Sequence, residues 1–210
     1  MQLCFSSYSS GLYVPAGKVV TLTCLGSHDG WQARIGCHTD TLFHLPKWQR
    51  WPQVSCTANL TSPSTTIASP YGGLLYFEAV GGACVSTDIM VTGACRAPVF
   101  DSTRMSEEDW LLCRSHPAPW GELAGKHVIL SLPSTILRAL EHPREVTDYW
   151  DGVVVSHCEL KAVCPPSRRE RLVVDVQISA GYMHSGYPVG CTDFLCFLYC
   201  CFGTFCKNLR

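Results

Sequence analysis

Short stretches of β-branched and aromatic residues alternate with turn residues over the first half of the chain. Clusters of Gly, Pro and Ser separate the stretches, which are KVVTLTCL, WQARIGCH, PQVSCTAN, GGLLYFEAV and DIMVTGAC. In KVVTLTC, hydrophobic and polar residues alternate with the two-residue period of a half-buried strand. Regular short strands with such turns favour two packed sheets over repeated βαβ units. We therefore predict a jelly-roll-like β-sandwich over residues 1–98.

The pattern changes near residue 98, where helical segments begin to separate the strands. The segment DSTRMSEEDWLLCRS has the caps and acidic first turn of a short helix. KHVILSLP predicts a strand, after which Ser134 is the predicted cap of a helix that Pro143 stops. Residues 144–163 predict a longer helix in spite of Gly152. We therefore predict an α+β unit over residues 99–190.

A hydrophobic strand, VVDVQISAGYMHSGYP, follows the predicted loop CPPSRRERL and ends in a turn rich in Gly and Pro. Because side chains alternate along a strand, Asp175 and Gln177 are predicted to share one face. The opposite face would carry Val174, Val176 and Ile178.

Composition and charge exclude some classes of partner. The 210 residues are 47% hydrophobic, which is ample for a buried core, and 16% charged with a net charge of -1. No basic face is therefore expected to neutralise a phosphate backbone, and we expect no nucleic-acid partner. The start of the chain does not resemble a secretory signal, and no apolar run reaches the length of a membrane-spanning helix. These features predict a cytoplasmic protein.

The 14 cysteines divide into a scattered set and a cluster at residues 191–210. The scattered cysteines stand among apolar neighbours at irregular spacing, which favours reduced, buried thiols over a disulfide framework. We treat residues 191–210 as a divergent Cys-rich tail, and favour an alternative or out-of-frame end. A palmitoylated membrane tail and a zinc cluster are the other interpretations.

No catalytic, metal-binding or cofactor-binding residue is predicted. A zinc peptidase needs two imidazoles one helical turn apart and a carboxylate beside the metal-bound water. None of the eight histidines is directly followed by Glu, and no pair has this spacing. A zinc site assembled from scattered His and Cys is the alternative that we favour least.

Two shorter motifs suggest chemistry but have simpler explanations. In GCHTD, His38 and Asp40 could act as a base and its carboxylate, although turn residues usually bond to backbone groups. Cys37 resembles a nucleophile beside a base, but adjacent strand residues point to opposite faces, so it is not expected to contact His38. In PWGEL, Trp120 is predicted to fill the core while Glu122 caps a backbone group or pairs with a cation.

Six blocks of sequence, in order, resemble the TRP-channel-associated factor family, whose members carry an enhancin-like peptidase region of the M60 type. They cover most of residues 10–191 and are SGLYVPAGKVVTLT, ARIGCHTDTLFHL, SPYGGLLYFEAV, VTGACRAPVF, APWGELAGKHVILSLPSTILRALEHP and RLVVDVQISAGYMHSGYPVGC. The resemblance implies a β-sandwich followed by a gluzincin-like peptidase unit. The family's zinc helix, with its H-E-x-x-H motif, would come after the last block, so we expect an incomplete peptidase unit in a short or truncated form.

The resemblance also implies a role for the strand that begins near Val173. In peptidases of this type an edge strand beside the zinc helix lies along the substrate backbone. Asp175, Gln177, His184 and Tyr187 are therefore expected at the rim of a cleft, where the strand frames a site whose working residues are elsewhere. His184 itself is expected to be structural.

The function implied by the resemblance is regulation of an ion channel. The chain is expected to be a non-catalytic protein that binds a TRP cation channel and modulates its plasma-membrane trafficking and gating. It would lie in the cytoplasm at the plasma membrane, attached through this partner or through acylated tail cysteines. Trp48 and Trp51 are candidates for a docking surface, with core packing as the equal alternative.

Two further functions remain open. The chain could be the amino-terminal fragment of a zinc metallopeptidase that acts on glycoproteins. It could also be a carbohydrate-binding sandwich, with Trp31, Trp48 and Trp51 as candidate stacking residues.

Overall fold

The protein is described by a computed structural model that covers residues 6–80 and 86–192. The predicted Cys-rich tail lies outside the described residues from residue 193 onward. Eight strands form the amino-terminal half: β1 (Ser6–Val14), β2 (Val19–Cys24), β3 (Trp31–Ile35), β4 (Cys56–Asn59), β5 (Ser64–Ala68), β6 (Gly73–Ala79), β7 (Ile89–Thr92) and β8 (Cys95–Arg96). The carboxy-terminal half contains β9 (Val99–Asp101), α1 (Glu107–Cys113), β10 (Trp120–Ala124), β11 (Val128–Pro133), α2 (Ser134–Ala139), α3 (Pro143–Leu160), β12 (Glu170–Val174), β13 (Met183–His184) and β14 (Val189–Cys191).

The amino-terminal half consists of two sheets about one core. The first sheet has the order β4-β3-β6-β1-β8 and the second has the order β5-β2-β7. Along β2 the residues alternate as predicted, because Val20, Leu22 and Cys24 are buried while their neighbours are not. Both sheets contribute to one hydrophobic cluster, which includes Val14, Val20, Leu22, Ile35, Ile67 and Leu75. The arrangement is sandwich-like, and all five predicted stretches contain a strand.

The carboxy-terminal half is a mixed sheet of order β13-β14-β12-β11-β10-β9 with three helices. The chain passes into this sheet between Arg96 of β8 and Val99 of β9. Its core is a separate cluster in which the Trp110 ring lies at 70° to the Phe100 ring and its indole N–H donates to the Leu140 carbonyl. The helical residues Leu137 and Val146 extend this cluster. The helices therefore cover the sheet.

The helix boundaries follow local capping, with two corrections to the predictions. The Ser106 hydroxyl and the Asp109 carboxylate cap each other's backbone N–H groups at the start of α1. Ser134 was predicted to cap α2 but is its first residue, and its buried hydroxyl has no partner among the described residues. Pro143 does not stop that helix, which already ends at Ala139. It is the first residue of α3, where its missing N–H costs no hydrogen bond.

The strand predicted after residue 172 begins and ends earlier than expected. β12 starts at Glu170, inside the predicted loop, and ends at Val174 because its neighbour β14 ends at Cys191, the partner of Val174. The predicted hydrophobic face is also wrong, since Val176 is 61% exposed whereas Ile178 is buried. β12 pairs with β11 as well as β14, so it is an interior strand and not the expected edge strand.

A buried ion pair connects the two halves. Glu122 on β10 is 2% exposed and accepts a hydrogen bond from the guanidinium of Arg171 on β12, which is 1% exposed. The same carboxylate oxygen accepts from the Tyr76 hydroxyl of β6 at 2.9 Å and from the Ser131 hydroxyl at 3.0 Å. Arg171 also donates to the Ser9 hydroxyl of β1 at 2.9 Å. The prediction that Glu122 pairs with a cation is confirmed.

The charge state of this cluster follows from burial and pairing. Burial and the neighbouring Glu122 raise the pKa of Tyr76 well above its ordinary value, so its hydroxyl stays protonated as a donor. Burial alone would lower the pKa of Arg171, but the Glu122 carboxylate outweighs it and raises the pKa. The guanidinium also lies over the Tyr76 ring, 4.6 Å from its centroid. Arg171 is therefore charged, and the groups that stabilise its charge come from both halves.

Neutralising Glu122 should destabilise the whole described fold. In Glu122→Gln the buried Arg171 guanidinium loses its counter-charge, and we expect the free energy of unfolding to fall by about 3–5 kcal/mol in urea titrations. The matched control is Glu108→Gln on the exposed face of α1, which should change it by less than about 0.5 kcal/mol. Equal effects of the two variants would contradict a structural role for the pair.

Candidate functional site

The predicted site residues lie where the two halves meet. Residues 37–55 follow β3 in the amino-terminal half, and residues 174–188 follow β12 in the other; we call their contact the seam. Gln177 bonds to the backbone of the first segment twice, accepting from the Gln49 N–H at 2.7 Å and donating to the Lys47 carbonyl at 2.9 Å. Its amide therefore holds the seam together, whereas the sequence suggested an open cleft rim.

Asp175 is buried in the seam by an ion pair with Arg50. The Arg50 Nε lies 2.9 and 2.8 Å from the two carboxylate oxygens, and Nη2 lies 2.7 Å from one of them. The same guanidinium donates to the carbonyls of Trp51 at 2.8 Å and Asp40 at 3.3 Å. Arg50 thus fixes the loop of residues 37–55 on the end of β12, and this pairing fully engages the Asp175 carboxylate.

His184 bonds to Asp40 across the seam. Its Nε2 lies 2.7 Å from the Asp40 Oδ2, and its Nδ1 lies 3.1 Å from the Ser185 carbonyl oxygen. Asp40 also accepts from the Ser179 N–H at 2.7 Å. The alternative pairing of Asp40 with His38 is not formed, and Asp40 binds a backbone N–H as the simpler explanation supposed. These contacts are what a structural role for His184 requires.

Cys37 and His38 do meet, contrary to the prediction. The Cys37 Sγ lies 3.6 Å from the His38 Nδ1, and the His38 Nε2 lies 2.9 Å from the Val174 carbonyl oxygen. Strand alternation does not apply because β3 ends at Ile35 and Gly36 has a φ of 102°, a left-handed conformation that suits glycine. Burial alone would lower the pKa of His38, but Cys37, Asp175 and the Val174 carbonyl raise it to about 9.

Tyr187 lies apart from the other predicted rim residues. Its ring stacks under the Arg168 guanidinium, 3.8 Å from the centroid, and lines a groove of about 730 Å³ with Ser9 of β1 and Arg169. Asp175 lines a different cavity, of about 230 Å³, together with Cys37 and His38. Two of the four residues predicted for one cleft rim, Asp175 and Tyr187, thus line different cavities.

Trp48 and Trp51 belong to an exposed group of aromatic residues that we call the aromatic surface, comprising Phe43, Trp48, Trp51 and Tyr71. Trp48 is 51% exposed and Trp51 64%. The Trp48 ring lies edge-on to Phe43 at 6.2 Å, and Trp51 lies 6.4 Å from Tyr71. Phe43 and Tyr71 were not predicted, since only the two tryptophans of KWQRW mark this loop in the sequence.

The described residues do not supply a zinc site. Within residues 6–80 and 86–192, no three His, Cys, Asp or Glu side chains are grouped so as to hold a metal ion. The eight cysteines described in these ranges are all free thiols, as predicted for the scattered set. Among the described helices, none is both long and apolar enough to span a membrane.

The His184–Asp40 pair should make stability depend on pH. Burial alone would lower the pKa of His184, but its bonds to Asp40 and Ser185 raise it. Burial would raise the pKa of Asp40, but the Ser179 and His184 donors lower it. The pair's contribution is therefore fully present between the unfolded-state values of about 3.9 for Asp and 6.5 for His, and is lost as pH rises through the folded-state pKa of His184.

The variant Asp40→Asn tests this dependence. We expect it to lower the free energy of unfolding by about 1 kcal/mol at about pH 5.5, and by clearly less at a pH above the raised pKa of His184, where the neutral ring cannot donate from both nitrogens. Urea titrations at both pH values measure the difference. Asp148→Asn, an exposed carboxylate on α3, is the control and should show no such trend. A loss in Asp40→Asn that is equal at both pH values would contradict the charged pair.

The family models divide the chain near residue 92. Residues 4–91 match the N-terminal domain of M60-like peptidases, and residues 93–197 match peptidase M60, enhancin and enhancin-like.

Among solved structures, the M60 catalytic domain of Clostridium perfringens ZmpC, in complex with the sialyl T antigen, matches with a TM-score of 0.69 and 15% identity. The match covers 94% of this chain and 45% of that one. A functionally unknown conserved protein from Bacillus anthracis matches with a TM-score of 0.68 and 18% identity, over 92% of this chain and 41% of its own. At these identities the likeness shows the fold alone.

Curated relatives are closer in sequence. TRPM8 channel-associated factor 2 from Bos taurus is 40% identical over 87% of this chain and 21% of its own length. TRPM8 channel-associated factor 3 from Rattus norvegicus is 38% identical over 86% of this chain and 20% of its own. The chain thus spans about a fifth of the length of these relatives. Since the enhancin-like model matches residues 93–197 and these relatives match most of the chain, the protein belongs to the peptidase M60, enhancin and enhancin-like family, as the resemblance predicted.

Proposed function

We propose that the chain is a non-catalytic regulatory protein that binds a TRP cation channel and modulates the channel's trafficking to the plasma membrane and its gating. The observation that carries the proposal is the 40% identity, over 87% of the chain, to a relative named TRPM8 channel-associated factor 2. The similar region includes both halves and the seam between them. The proposal therefore assigns a channel-binding surface to this fifth of the relatives' length.

The aromatic surface is the best candidate for that contact. Large aromatic side chains contribute much of the free energy of protein association, and an exposed group of them is typical of an interaction site. Phe43 and Trp51 are 63% and 64% exposed. Arg50 and Gln177 hold the backbone of their loop on the opposite half, so binding would order little additional chain.

The proposed place of action is the cytoplasmic side of the plasma membrane, reached through the channel. Acylation of cysteines is a second proposed route, and it would fall on the tail beyond Thr192. Cys191 is unsuitable because it is buried at 1% exposure as the last residue of β14.

We further propose that residues 99–190 form the amino-terminal part of a gluzincin-like unit. The match of residues 93–197 to the M60 family model supports this assignment. The same match favours the rival function, an amino-terminal fragment of a zinc metallopeptidase, over a carbohydrate-binding module.

Affinity capture of the tagged 210-residue chain from cells that express the TRPM8 channel tests the proposal. We expect the channel to be recovered, and we expect Trp48→Ser with Trp51→Ser to reduce recovery by about tenfold, as for loss of a central aromatic contact. The control is Leu111→Ser with Leu112→Ser, which removes two exposed apolar side chains of α1 and should leave recovery unchanged. Channel currents and surface biotinylation then measure gating and trafficking.

Metal analysis of the same purified sample distinguishes the proposed function from the rival function. Channel recovery without stoichiometric zinc supports a regulatory protein. Stoichiometric zinc without channel recovery would overturn the proposal in favour of the peptidase fragment. If the tryptophan and leucine variants reduce channel recovery equally, the aromatic surface is not part of the interface with the channel.

A further inference from the structure

The groove of about 730 Å³ that Tyr187 lines lies between the two halves of the molecule. β1 contributes Ser9 and its neighbours from the amino-terminal half, and β9, β10 and β11 contribute side chains such as Ala124 and Ile129 from the other half. Ligand sites typically have volumes of about 300–1,000 Å³. The residues of the aromatic surface do not line this groove, so the proposed channel function makes no use of it.

One wall of the groove is a strand edge that has no partner strand among the described residues. Ser6–Ser9 of β1 pair with β6 on one side. On the other side, β8 pairs with β1 only at Leu12 and Tyr13, beyond the register shift that follows Ser9. Tyr8 is 53% exposed at this edge. The backbone N–H and C=O groups that point away from β6 can therefore bond to an added extended chain.

The carboxy-terminal half lines the groove with three arginines, Arg104, Arg168 and Arg169. The guanidiniums of Arg104 and Arg169 bond to one buried carboxylate, Asp101, at 2.8 and 3.0 Å. Burial alone would raise the pKa of Asp101, but its bonds from Arg169 and Thr103 lower it to about 2, so the carboxylate stays ionised. Asp101 therefore offsets one of the two guanidiniums that it binds.

The lining of the groove keeps a net positive charge. Its other carboxylate, Glu122, is paired with the buried Arg171, and Glu170, which lies 3.9 Å from the Arg168 Nη2, is not part of the lining. Two positive charges thus remain in the groove of a chain whose net charge is -1. The Arg104 side chain is 77% exposed and that of Arg168 is 37% exposed, so a ligand can reach both. Guanidiniums bind carboxylates with paired hydrogen bonds.

We propose that the groove binds an acidic, extended peptide segment of a partner protein, which adds to the edge of β1 as a further strand. Ser6–Ser9 span about 13 Å at about 3.3 Å per residue, so the added strand would have about four or five residues. Alternate side chains of a strand point the same way, so acidic residues at every second position can reach the arginines together. A small free anion would use the arginines but not the strand edge, which is why a peptide fits the groove better.

Fluorescence anisotropy with the purified 210-residue chain tests the site. The probe is a labelled peptide of four Glu-Thr repeats, at about 0.1 M salt, where charges more than about 10 Å apart are screened. We expect saturable binding, and binding at least about fivefold weaker for the uncharged Gln-Thr peptide. A Glu-Pro peptide keeps the charges but lacks every second backbone N–H, and we expect it to bind at least about fivefold more weakly as well.

Arg104→Gln with Arg168→Gln tests the position of the bound peptide. The double variant should weaken binding of the Glu-Thr peptide by at least about fivefold. The matched control, Lys18→Gln with Lys161→Gln, removes the same charge from exposed positions outside the groove and should change binding by less than about twofold. Thermal unfolding checks each variant. Arg168→Gln alone, which leaves both partners of Asp101 in place, should weaken binding by about threefold even if the double variant is unstable.

Several outcomes would overturn the proposal. Absence of binding, or equal weakening by the arginine and lysine variants, would exclude the groove as the site. Equal affinity for the Glu-Thr and Glu-Pro peptides would exclude strand addition. Tighter binding of a single strand of dT of the same length would identify a phosphate polyanion as the ligand in place of a peptide. Because no channel is present in these measurements, their failure would leave the proposed channel function unaffected.

Discussion

The buried contact between Arg171 and Glu122 is the constraint on which the arrangement of the two halves depends. A guanidinium that is 1% exposed is tolerable only if charged and polar partners surround it. Those partners are side chains of β1, β10 and β11 and the Tyr76 ring of β6, and they belong to both halves of the described chain. A displacement of one sheet relative to the other would separate the buried Arg171 charge from its partners. The position of β12 is therefore fixed relative to the sandwich-like half.

Because the position of β12 is fixed, the position of the seam is also determined. The chain leaves the last paired residue, Val174, beside the loop that follows β3, where polar groups of the two segments bind each other. Arg50 binds Asp175, His184 binds Asp40, and Gln177 bonds to two backbone groups. The seam is thus a structural junction whose carboxylates and amide are already occupied.

Regular elements were predictable, whereas contacts distant in sequence were not. Alternation in KVVTLTC and the capping signal at Ser106 are local, and both match the structure. β5 was missed because its sequence, STTIA, has one buried residue and looks like a turn. The end of β12 could not be predicted, since it depends on where β14 stops, and the partner of Asp40 lies 144 residues away. The Cys37–His38 contact was missed because strand alternation was extended past Gly36, where the chain turns.

The aromatic surface and the cavity of the seam share residues, so the two features are physically connected. Arg50 lines the cavity and donates to the Trp51 carbonyl, and Tyr71 forms part of both the cavity wall and the aromatic surface. Protein interiors transmit small displacements because they are closely packed, so the Trp51 side of the loop would shift with the cavity. The surface that we assign to the channel therefore depends on how the two segments of the seam pack around the cavity.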